Sequence, residues 1–170
     1  MEEYKKIALS NGDIYKLLDG KCNILTYPEL TKYDDIDSAM GKYKALVLLY
    51  LSKQNYGHWI CVFQRNNNTI EFFDPYGFFP DDELQFIPEH FREVSGQKYP
   101  HLTYLLAKCK YQKIEYNNTR LQKLENNVNT CGRWCVVRLM LRNISIEKFV
   151  KKFKIDGDSK VTKLTEKEVI

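Results

Sequence analysis

The sequence contains no apolar run long enough to cross a bilayer, and its first residues, MEEYKKIALSNGD, contain no apolar signal core. A transmembrane helix needs about 20 predominantly apolar residues, and a secretory signal needs an apolar stretch behind its charged start. The chain is therefore expected to be a soluble intracellular protein without a signal peptide or a transmembrane segment.

The cysteines form no regular framework. Five cysteines occur among 170 residues, an odd number that favours free thiols in a reducing compartment over a disulfide framework. The sequence also lacks internal repeats and Gly-, Ser- or Pro-rich linkers. At this length we expect a single domain over residues 1–170, with a core over about 44–153 and a loosely held tail over 155–170.

Positive charge is scarce in the first half of the chain and abundant in the second. Residues 1–91 contain 9 Lys and Arg against 14 Asp and Glu, whereas residues 92–170 contain 17 against 8. A solvated basic surface explains this asymmetry, and so does a face that meets nucleic acid or an acidic partner. The charge count leaves both interpretations open.

Aromatic residues are plentiful, at 14% of the chain, and they cluster in strand-like segments. KALVLLYLS (44–52), HWICVFQ (58–64) and TIEFFD (69–74) have strand composition, and RNNN (65–68) between the last two is typical of a turn. Both alternating sets of side chains in HWICVFQ are largely apolar. This pattern predicts a sheet that is covered by helices on both faces.

Helical patterns lie on either side of these strands. Helices are predicted over Ser10–Leu18, 83–91, His101–Cys109, 131–143 and 146–153, and a further strand over 113–118. This set of elements is that of an α+β protein, or of a mixed α/β protein with insertions.

Two cysteines, Cys131 and Cys135, stand one helical turn apart in NTCGRWCVVRLMLRN (129–143). A zinc site would need two more ligands, which no second close pair supplies. A disulfide between positions i and i+4 of one helix would constrain almost nothing. Core packing explains Cys135, which lies inside an apolar run, and it is also an explanation for Cys131.

Cys131 has a further interpretation, as a nucleophile at the start of the helix. Asn129 or Thr130 can cap the helix, which puts Cys131 in its first turn. There the helix dipole and the free backbone N–H groups favour a thiolate. Gly132 has no Cβ and leaves room for the backbone of a substrate. These residues alone support a nucleophile and a core cysteine about equally.

A cysteine nucleophile needs a histidine to take its proton and a third group to orient that histidine. His90 and His101 are expected at the surface or at a helix cap, whereas His58 opens a buried strand. A three-residue hairpin loop would put Asp74 directly opposite His58 or diagonal to it on the same face. A two-residue turn would put the two on opposite faces. Glu71 lies three residues before Asp74 in the same strand, so its side chain is expected on the opposite face of the sheet, away from His58.

Acyl transfer also needs hydrogen-bond donors aimed at the developing negative oxygen, each of which lowers the barrier by ~3 kcal/mol. The backbone N–H of Cys131 is one candidate. The segment TRLQKLENNVNT offers four side-chain amides as the other, those of Gln122, Asn126, Asn127 and Asn129. The residues alone do not choose among them.

The order of these motifs resembles that of one protein family. GHWICVF (57–63), IEFFDPYG (70–77), LQ (121–122) and NTCGRWC (129–135) follow one another as in the adenovirus maturation proteinase, adenain, and related cysteine proteases of virophages, polinton-type elements and large DNA viruses. A more distant resemblance is to the cellular proteases that remove SUMO-like modifiers. The match covers about residues 44–143, and its parts together are far more specific than any one of them.

The resemblance implies an α+β fold with a papain-related, circularly rearranged cysteine protease core. A central mixed sheet would be flanked by helices, with the nucleophile at the N-terminus of a central helix. Cys131 would be the nucleophile, His58 the general base and then acid, Asp74 the orienting residue, and Gln122 the oxyanion donor beside the Cys131 N–H. The family's Gln stands nearer to the cysteine than the nine positions found here. Either the loop has an insertion, or an Asn replaces Gln122.

The resemblance also implies substrates, partners and a location. Trp59 and Gly132 are expected beside the substrate, with Trp59 shielding the histidine, and neither a metal nor a cofactor is expected. The substrates would be viral capsid or core precursor proteins, cleaved after small residues such as Gly-Gly during virion maturation. The basic C-terminal half would suit contact with packaged nucleic acid.

Such an enzyme would occupy the cytoplasm or viral factory of the host cell and would be packaged in the virion. One alternative on the same fold is a protease that removes ubiquitin-like modifiers. A binding or structural module with buried cysteines is the alternative without catalysis.

Overall fold

Residues 1–166 are described by a computed structural model, in which a mixed five-stranded sheet has helices on both faces. The strands are β1 Asn23–Thr26, β2 Ala45–Lys53, β3 Tyr56–Asn66, β4 Thr69–Phe73 and β5 Lys113–Tyr116. They lie side by side in chain order. The inner pairs β2–β3 and β3–β4 are antiparallel, whereas β1 and β5 run parallel to their neighbours. The four strands predicted from the sequence are confirmed, and β1 was not predicted.

The helices are α1 Glu2–Lys5, α2 Asn11–Leu17, α3 Tyr27–Leu30, α4 Ile36–Met40, α5 Glu89–Val94, α6 His101–Ala107, α7 Cys131–Met140, α8 Ile146–Phe153 and α9 Gly157–Thr165. A 3-10 helix covers Asp82–Phe86. The helix predicted over 83–91 is thus two short elements, because Pro88 lacks an N–H and holds Ile87 in an extended conformation. The other predicted helices are confirmed to within a few residues.

The two faces of β3 contribute to two separate hydrophobic cores. Trp59, Cys61 and Phe63 pack with α7, α8 and α9 in one core. Ile60 and Val62 pack with α3, α4 and α6 in the other. The expectation of helices on both faces, drawn from the two-sided apolar pattern of HWICVF, is confirmed.

The hairpin between β3 and β4 corrects one argument from the sequence. Its turn has two residues, Asn67 and Asn68, a length predicted to put His58 and Asp74 on opposite faces. That prediction is wrong, because the register shifts between Gln64 and Asn66. The extra residue in β3 moves the pairing by one position, so that Cys61 lies opposite Phe73. By the same register, Asp74 lies diagonal to His58 on one face.

The core extends beyond the predicted limits of 44–153 at both ends. Leu9, Ile14 and Cys22 are buried in the core that contains α7. Strand β1 adds a parallel edge to β2, which its short and mixed sequence, NILT, does not indicate.

The prediction of a loosely held tail over 155–170 is wrong for the residues of α9, and residues 167–170 lie outside the described chain. Helix α9 packs on α7 although its sequence is polar. Its buried polar groups are hydrogen-bonded: the Asp158 carboxylate accepts from the Trp134 indole, and the Thr162 and Thr165 hydroxyls donate to backbone carbonyls. Gly157 permits the close approach, since a Cβ there would lie 2.3 Å from the Trp134 ring.

Within residues 1–166, the helices are all too short or too polar to span a bilayer.

Candidate active site

A buried histidine–aspartate pair lies where β3 begins and β4 has just ended. The Nε2 atom of His58 lies 2.8 Å from Oδ1 of Asp74, and both side chains are at least nine-tenths buried. The same Oδ1 accepts the backbone N–H of Tyr76, also over 2.8 Å. Asn117 donates its amide to the Asp74 carbonyl, which fixes the backbone at the end of β4. The predicted pairing of His58 with Asp74 is thus present in the structure.

The Cys131 thiol lies against the backbone beside His58. Cys131 is the first residue of α7, and its sulfur accepts the backbone N–H of Trp59 over 3.4 Å. Because Trp59 follows His58 directly, this contact places the sulfur beside the part of β3 that contains His58. With Nε2 turned to Asp74, Nδ1 is the ring nitrogen left to face the thiol.

The ionisation of His58 follows from these neighbours. Burial disfavours the charged imidazolium, but the Asp74 carboxylate and the Cys131 sulfur outweigh it and raise the pKa of His58 well above its usual value. A histidine with a raised pKa beside a cysteine favours transfer of the thiol proton to the imidazole.

The start of α7 differs from the predicted cap. Thr130 occupies the N-cap position but makes no side-chain cap. Its hydroxyl donates to Asp158 over 2.6 Å instead. Asn129 does not cap either, since its amide donates to the Lys6 carbonyl and its oxygen accepts from Tyr56. The backbone N–H groups of the first turn therefore have no side-chain acceptor among residues 1–166.

Gln122 lies in the neighbourhood of the site and is almost fully buried. Its Nε2 donates to the Tyr76 hydroxyl and to the Val128 carbonyl, each over 3.4 Å. The carbonyl can only accept, so the amide nitrogen must face this side. Of the three asparagines considered beside it, Asn126 and Asn127 are exposed and Asn129 is engaged elsewhere. These contacts favour Gln122 over the asparagines.

Tyr76 is a site residue that the sequence analysis missed. Its ring stacks on the His58 imidazole, with centroids 4.4 Å apart and planes 11° from parallel. The position of Tyr76 in DPYG, two residues after Asp74, was the available indication, and the sequence analysis assigned this residue no role.

The predicted role of Gly132 needs correction, because the space at its Cα is filled. A Cβ there would lie 3.1 Å from the Trp59 ring, 3.2 Å from Leu9 and 3.4 Å from Ile14. Gly132 therefore permits close packing of α7 against these side chains, and the prediction that it leaves room for a substrate is wrong.

Trp59 is almost fully buried, and its indole N–H donates to the Leu9 carbonyl. It lines a groove of ≈ 460 Å³ together with Gly57 and Leu49. The groove thus adjoins residues on either side of His58 in the chain.

The other chemistry-bearing residues have the settings expected of them. Cys135 is fully buried, its pKa is raised by burial and by Cys61, and its predicted place in the core is confirmed. Glu71 faces α7, where Arg138 binds it through two hydrogen bonds, and so points away from His58 as predicted. His90 is exposed, and His101 begins α6 with its ring near a backbone carbonyl.

Comparison with curated proteins identifies a relative, although no family model matches the chain. The uncharacterized protein V9 of Sputnik virophage is 47% identical over 172 residues, an alignment that covers 97% of this chain and 98% of V9. The chain belongs to the V9 family. Because the alignment spans nearly all of both proteins, the site described above lies within the shared region.

The fold of this V9-family protein is similar to that of a viral protease. The crystal structure of the ASFV pS273R protease superimposes with a TM-score of 0.56 at 18% identity, covering 96% of this chain and 67% of the other. The selenomethionine form of the same protease gives a TM-score of 0.53 at 18% identity and covers 96% and 68%. At this identity the similarity concerns the fold alone. It confirms the viral protease resemblance in fold, with a mixed central sheet flanked by helices.

Proposed function

We propose that this V9-family protein is a cysteine endopeptidase whose catalytic triad is Cys131, His58 and Asp74. The observation that carries the proposal is the buried His58–Asp74 pair, 2.8 Å apart, beside a cysteine that begins a helix. Burial of these two side chains costs free energy unless they are paired, and a purely structural role would not also require the adjoining thiol. The order of the residues, histidine before cysteine, supports a circularly rearranged papain-type core.

In this mechanism the imidazole of His58 takes the thiol proton and is oriented by Asp74. The Cys131 sulfur bonds to the scissile carbonyl carbon, and the π pair moves onto the oxygen. Collapse re-forms the C=O bond and expels the amine, which takes the proton from His58. Water then hydrolyses the thioester with His58 acting as the base.

The developing oxyanion needs donors that are in place before the reaction begins. The Cys131 N–H belongs to the uncapped first turn of α7 and has no intrahelical partner. We assign Gln122 as the second donor, because its buried Nε2 lies near Tyr76, which stacks on His58; the N–H that meets the Tyr76 hydroxyl over 3.4 Å would turn to the oxyanion when it forms. Two such donors would each lower the barrier by ~3 kcal/mol.

The proposed substrates are viral capsid or core precursor proteins, cleaved after small residues such as Gly-Gly. The family membership and the likeness of the fold to a viral protease support this proposal. The enzyme would act in the host cytoplasm or viral factory and in the virion. The groove along Gly57 and Trp59 is the proposed path of the peptide, with Trp59 forming a wall.

The deciding experiment is cleavage of coexpressed capsid precursor and of Gly-Gly-containing peptides by the wild type and by Cys131→Ala and His58→Ala. Both variants are expected to lose cleavage while keeping the far-UV circular dichroism of the wild type. Equal cleavage by wild type and Cys131→Ala would refute the nucleophile assignment.

A ubiquitin-like modifier with a C-terminal electrophile tests the alternative substrate class. Labelling of Cys131 by such a probe, without cleavage of viral precursors, would make the protein a protease of ubiquitin-like modifiers. Slow reaction of Cys131 with iodoacetamide, unchanged in His58→Ala, would favour the non-enzymatic interpretation.

We also propose that nucleic acid binds the basic C-terminal surface. Exposed lysines are concentrated on α8, α9 and the segment between them, at Lys148, Lys151, Lys152, Lys154, Lys160 and Lys163. Removal of one lysine that binds a phosphate is expected to flatten the slope of log K against log salt by ~0.9 for duplex DNA. The test is the salt dependence of DNA binding by Lys151→Gln/Lys152→Gln, with Lys32→Gln/Lys42→Gln as the matched control. Equal slopes for both pairs would contradict the assignment of this surface.

A further inference from the structure

Tyr76 contacts three members of the candidate site. Its ring stacks on His58, and its backbone N–H donates to Oδ1 of Asp74. Its hydroxyl oxygen accepts from Nε2 of Gln122 over 3.4 Å. A residue needed only for the turn after Asp74 would not require the hydroxyl.

The hydroxyl proton of Tyr76 is available for donation. A phenol can accept one hydrogen bond and donate another at the same time. Among residues 1–166, the bond from Gln122 is the hydrogen bond that this hydroxyl makes, and it uses only the oxygen. Burial raises the pKa of Tyr76, and nearby Cys131, Glu83 and Asp74 raise it further, so the phenol keeps its proton at neutral pH.

We infer that the Tyr76 hydroxyl is a third donor to the oxyanion formed at Cys131, beside the Cys131 N–H and Gln122 Nε2. The inference rests on the proposed function and deepens it. As the sulfur bonds to the carbonyl carbon, the π pair moves onto the oxygen, and the phenol donates a hydrogen bond to it without transferring its proton. When the intermediate collapses, the pair returns to the C=O bond and the leaving group departs.

Two reactions of Cys131 separate this role from a structural one. Acylation by p-nitrophenyl acetate passes through a tetrahedral oxyanion and needs no peptide recognition. Alkylation by iodoacetamide uses the same thiolate but forms no oxyanion. Tyr76→Phe keeps the ring that stacks on His58 and removes only the hydroxyl.

We expect Tyr76→Phe to slow acylation of Cys131 by about 10- to 100-fold. This is at or below the lower end of the loss in rate that removal of one oxyanion donor causes. Alkylation is expected to change by less than about twofold, because Phe retains the contact with the imidazole. Tyr104→Phe, at an exposed tyrosine of α6, is the matched control and should leave both rates unchanged. Phe fills nearly the same volume, so the fold is expected to persist, and far-UV circular dichroism checks this.

A second pair of variants distinguishes direct donation from an effect through Gln122. If Tyr76 donates to the oxyanion, Tyr76→Phe slows acylation again when it is added to Gln122→Ala. If Tyr76 only orients the amide, the double variant is no slower than Gln122→Ala alone, which would overturn the inference.

Equal acylation of wild type and Tyr76→Phe would also overturn it, as would a wild type that p-nitrophenyl acetate does not acylate at Cys131. A wild type that is acylated at Cys131 but cleaves no peptide or precursor would instead refute the proposed endopeptidase function. The Tyr76 inference would still be decided by the two rates.

Discussion

The charge of His58 results from two opposing effects at one residue. Burial disfavours the imidazolium, whereas Asp74 at 2.8 Å and the neighbouring Cys131 sulfur favour it strongly enough to raise the pKa well above the usual value. Removal of the carboxylate charge should therefore leave burial as the main influence. The pair therefore predicts that the pKa of His58 falls when Asp74 loses its charge, whatever the substrate is.

We expect Asp74→Asn to lower the pKa of His58 from its raised wild-type value, because burial of the imidazolium is then offset by the Cys131 sulfur alone. NMR titration of the histidine ring resonances measures this directly, and Asp34→Asn, at an exposed carboxylate, is the control. A His58 titration that is the same in the wild type and in Asp74→Asn would contradict the assignment of Asp74.

The same pair has a consequence for stability. Because the folded-state pKa of His58 is raised, its charge stabilises the fold fully below ~6.5 and this contribution is lost as the pH rises through the folded value. Across that window the free energy of unfolding should fall more steeply with pH in the wild type than in Asp74→Asn. Urea denaturation at a series of pH values measures the difference.

At the start of β3 the backbone at Gly57 lies very close to the backbone of β2 at Tyr50. Gly57 directly precedes His58, and a Cβ at Gly57 would lie 1.6 Å from the Tyr50 carbonyl oxygen of β2. Because the clash is with backbone atoms, a side chain at Gly57 would push β2 and β3 apart and disturb the strand pairing that positions the His58 imidazole. A side chain at this point is incompatible with the observed register.

Gly57→Ala is therefore expected to lower the free energy of unfolding by about 3 kcal/mol or more, the upper range for overpacking. Gly12→Ala is the control, because the Cβ there meets only the Ser10 hydroxyl at 3.7 Å within α2, where Ala favours the helix. The measurement is urea unfolding of both variants, and a smaller loss for Gly57→Ala than for Gly12→Ala would contradict the register.

Helix α9 connects both sides of the proposed oxyanion site through one carboxylate. Oδ1 of Asp158 accepts from the hydroxyl of Thr130, the residue before Cys131. It also accepts from the indole of Trp134, which lies about one helical turn after Cys131. Oδ2 accepts the backbone N–H of Lys123, the residue after Gln122. The C-terminal helix thus acts on the site through the residues it positions, and touches none of the reacting atoms.

Asp158→Asn separates the two connections. An Asn keeps an oxygen for Thr130 and Trp134 but sets an amide N–H₂ against the Lys123 N–H, which costs about 1–3 kcal/mol if that donor stays unsatisfied. We expect faster hydrogen exchange of the Lys123 amide and slower acylation of Cys131, with the rate of iodoacetamide alkylation unchanged. Asp156→Asn, at an exposed neighbouring carboxylate, is the control. Unaltered exchange at Lys123 would refute the proposed connection.

At the scale of the whole molecule, a buried ion pair fastens α7 to the sheet. Arg138 donates to both carboxylate oxygens of Glu71 over 2.8 and 2.9 Å, and both side chains are fully buried. The guanidinium also donates to the carbonyls of Leu141 and Ile144 beyond the helix end. Removal of Glu71 would leave the Arg138 charge uncompensated in the core, and Arg65, 3.9 Å from the same carboxylate, would lose its partner as well.

Glu71→Gln is expected to lower the free energy of unfolding by about 3–5 kcal/mol, the cost of breaking a buried pair. The double variant Glu71→Leu/Arg138→Met should cost less than the sum of the single changes, because Arg138 is then not left buried without its carboxylate; the Arg65 charge stays in both cases. Chemical denaturation of the set measures the coupling. Glu2→Gln, which breaks an exposed pair with Lys5, should leave stability nearly unchanged. Full additivity at Glu71 and Arg138 would contradict a stabilising pair.

Most strands and helices could be predicted because their signals are local. HWICVFQ is apolar on both alternating faces, and its two cores follow from that pattern. The tail could not be predicted, because α9 buries Asp158, Thr162 and Thr165 through hydrogen bonds to partners elsewhere in the chain or one turn earlier. Residue types alone do not show whether a polar side chain will find a buried partner.

The order and type of the residues were enough to identify those that could do chemistry: a cysteine at a helix start, a histidine entering a buried strand, and an aspartate that ends the next one. How these residues meet depends on the folded chain. A register shift in the β3–β4 hairpin keeps His58 and Asp74 on one face in spite of the two-residue turn. Tyr76 and Asp158 acquired their contacts only on folding, because stacking and hydrogen bonding between residues far apart in the chain depend on packing that no local pattern records.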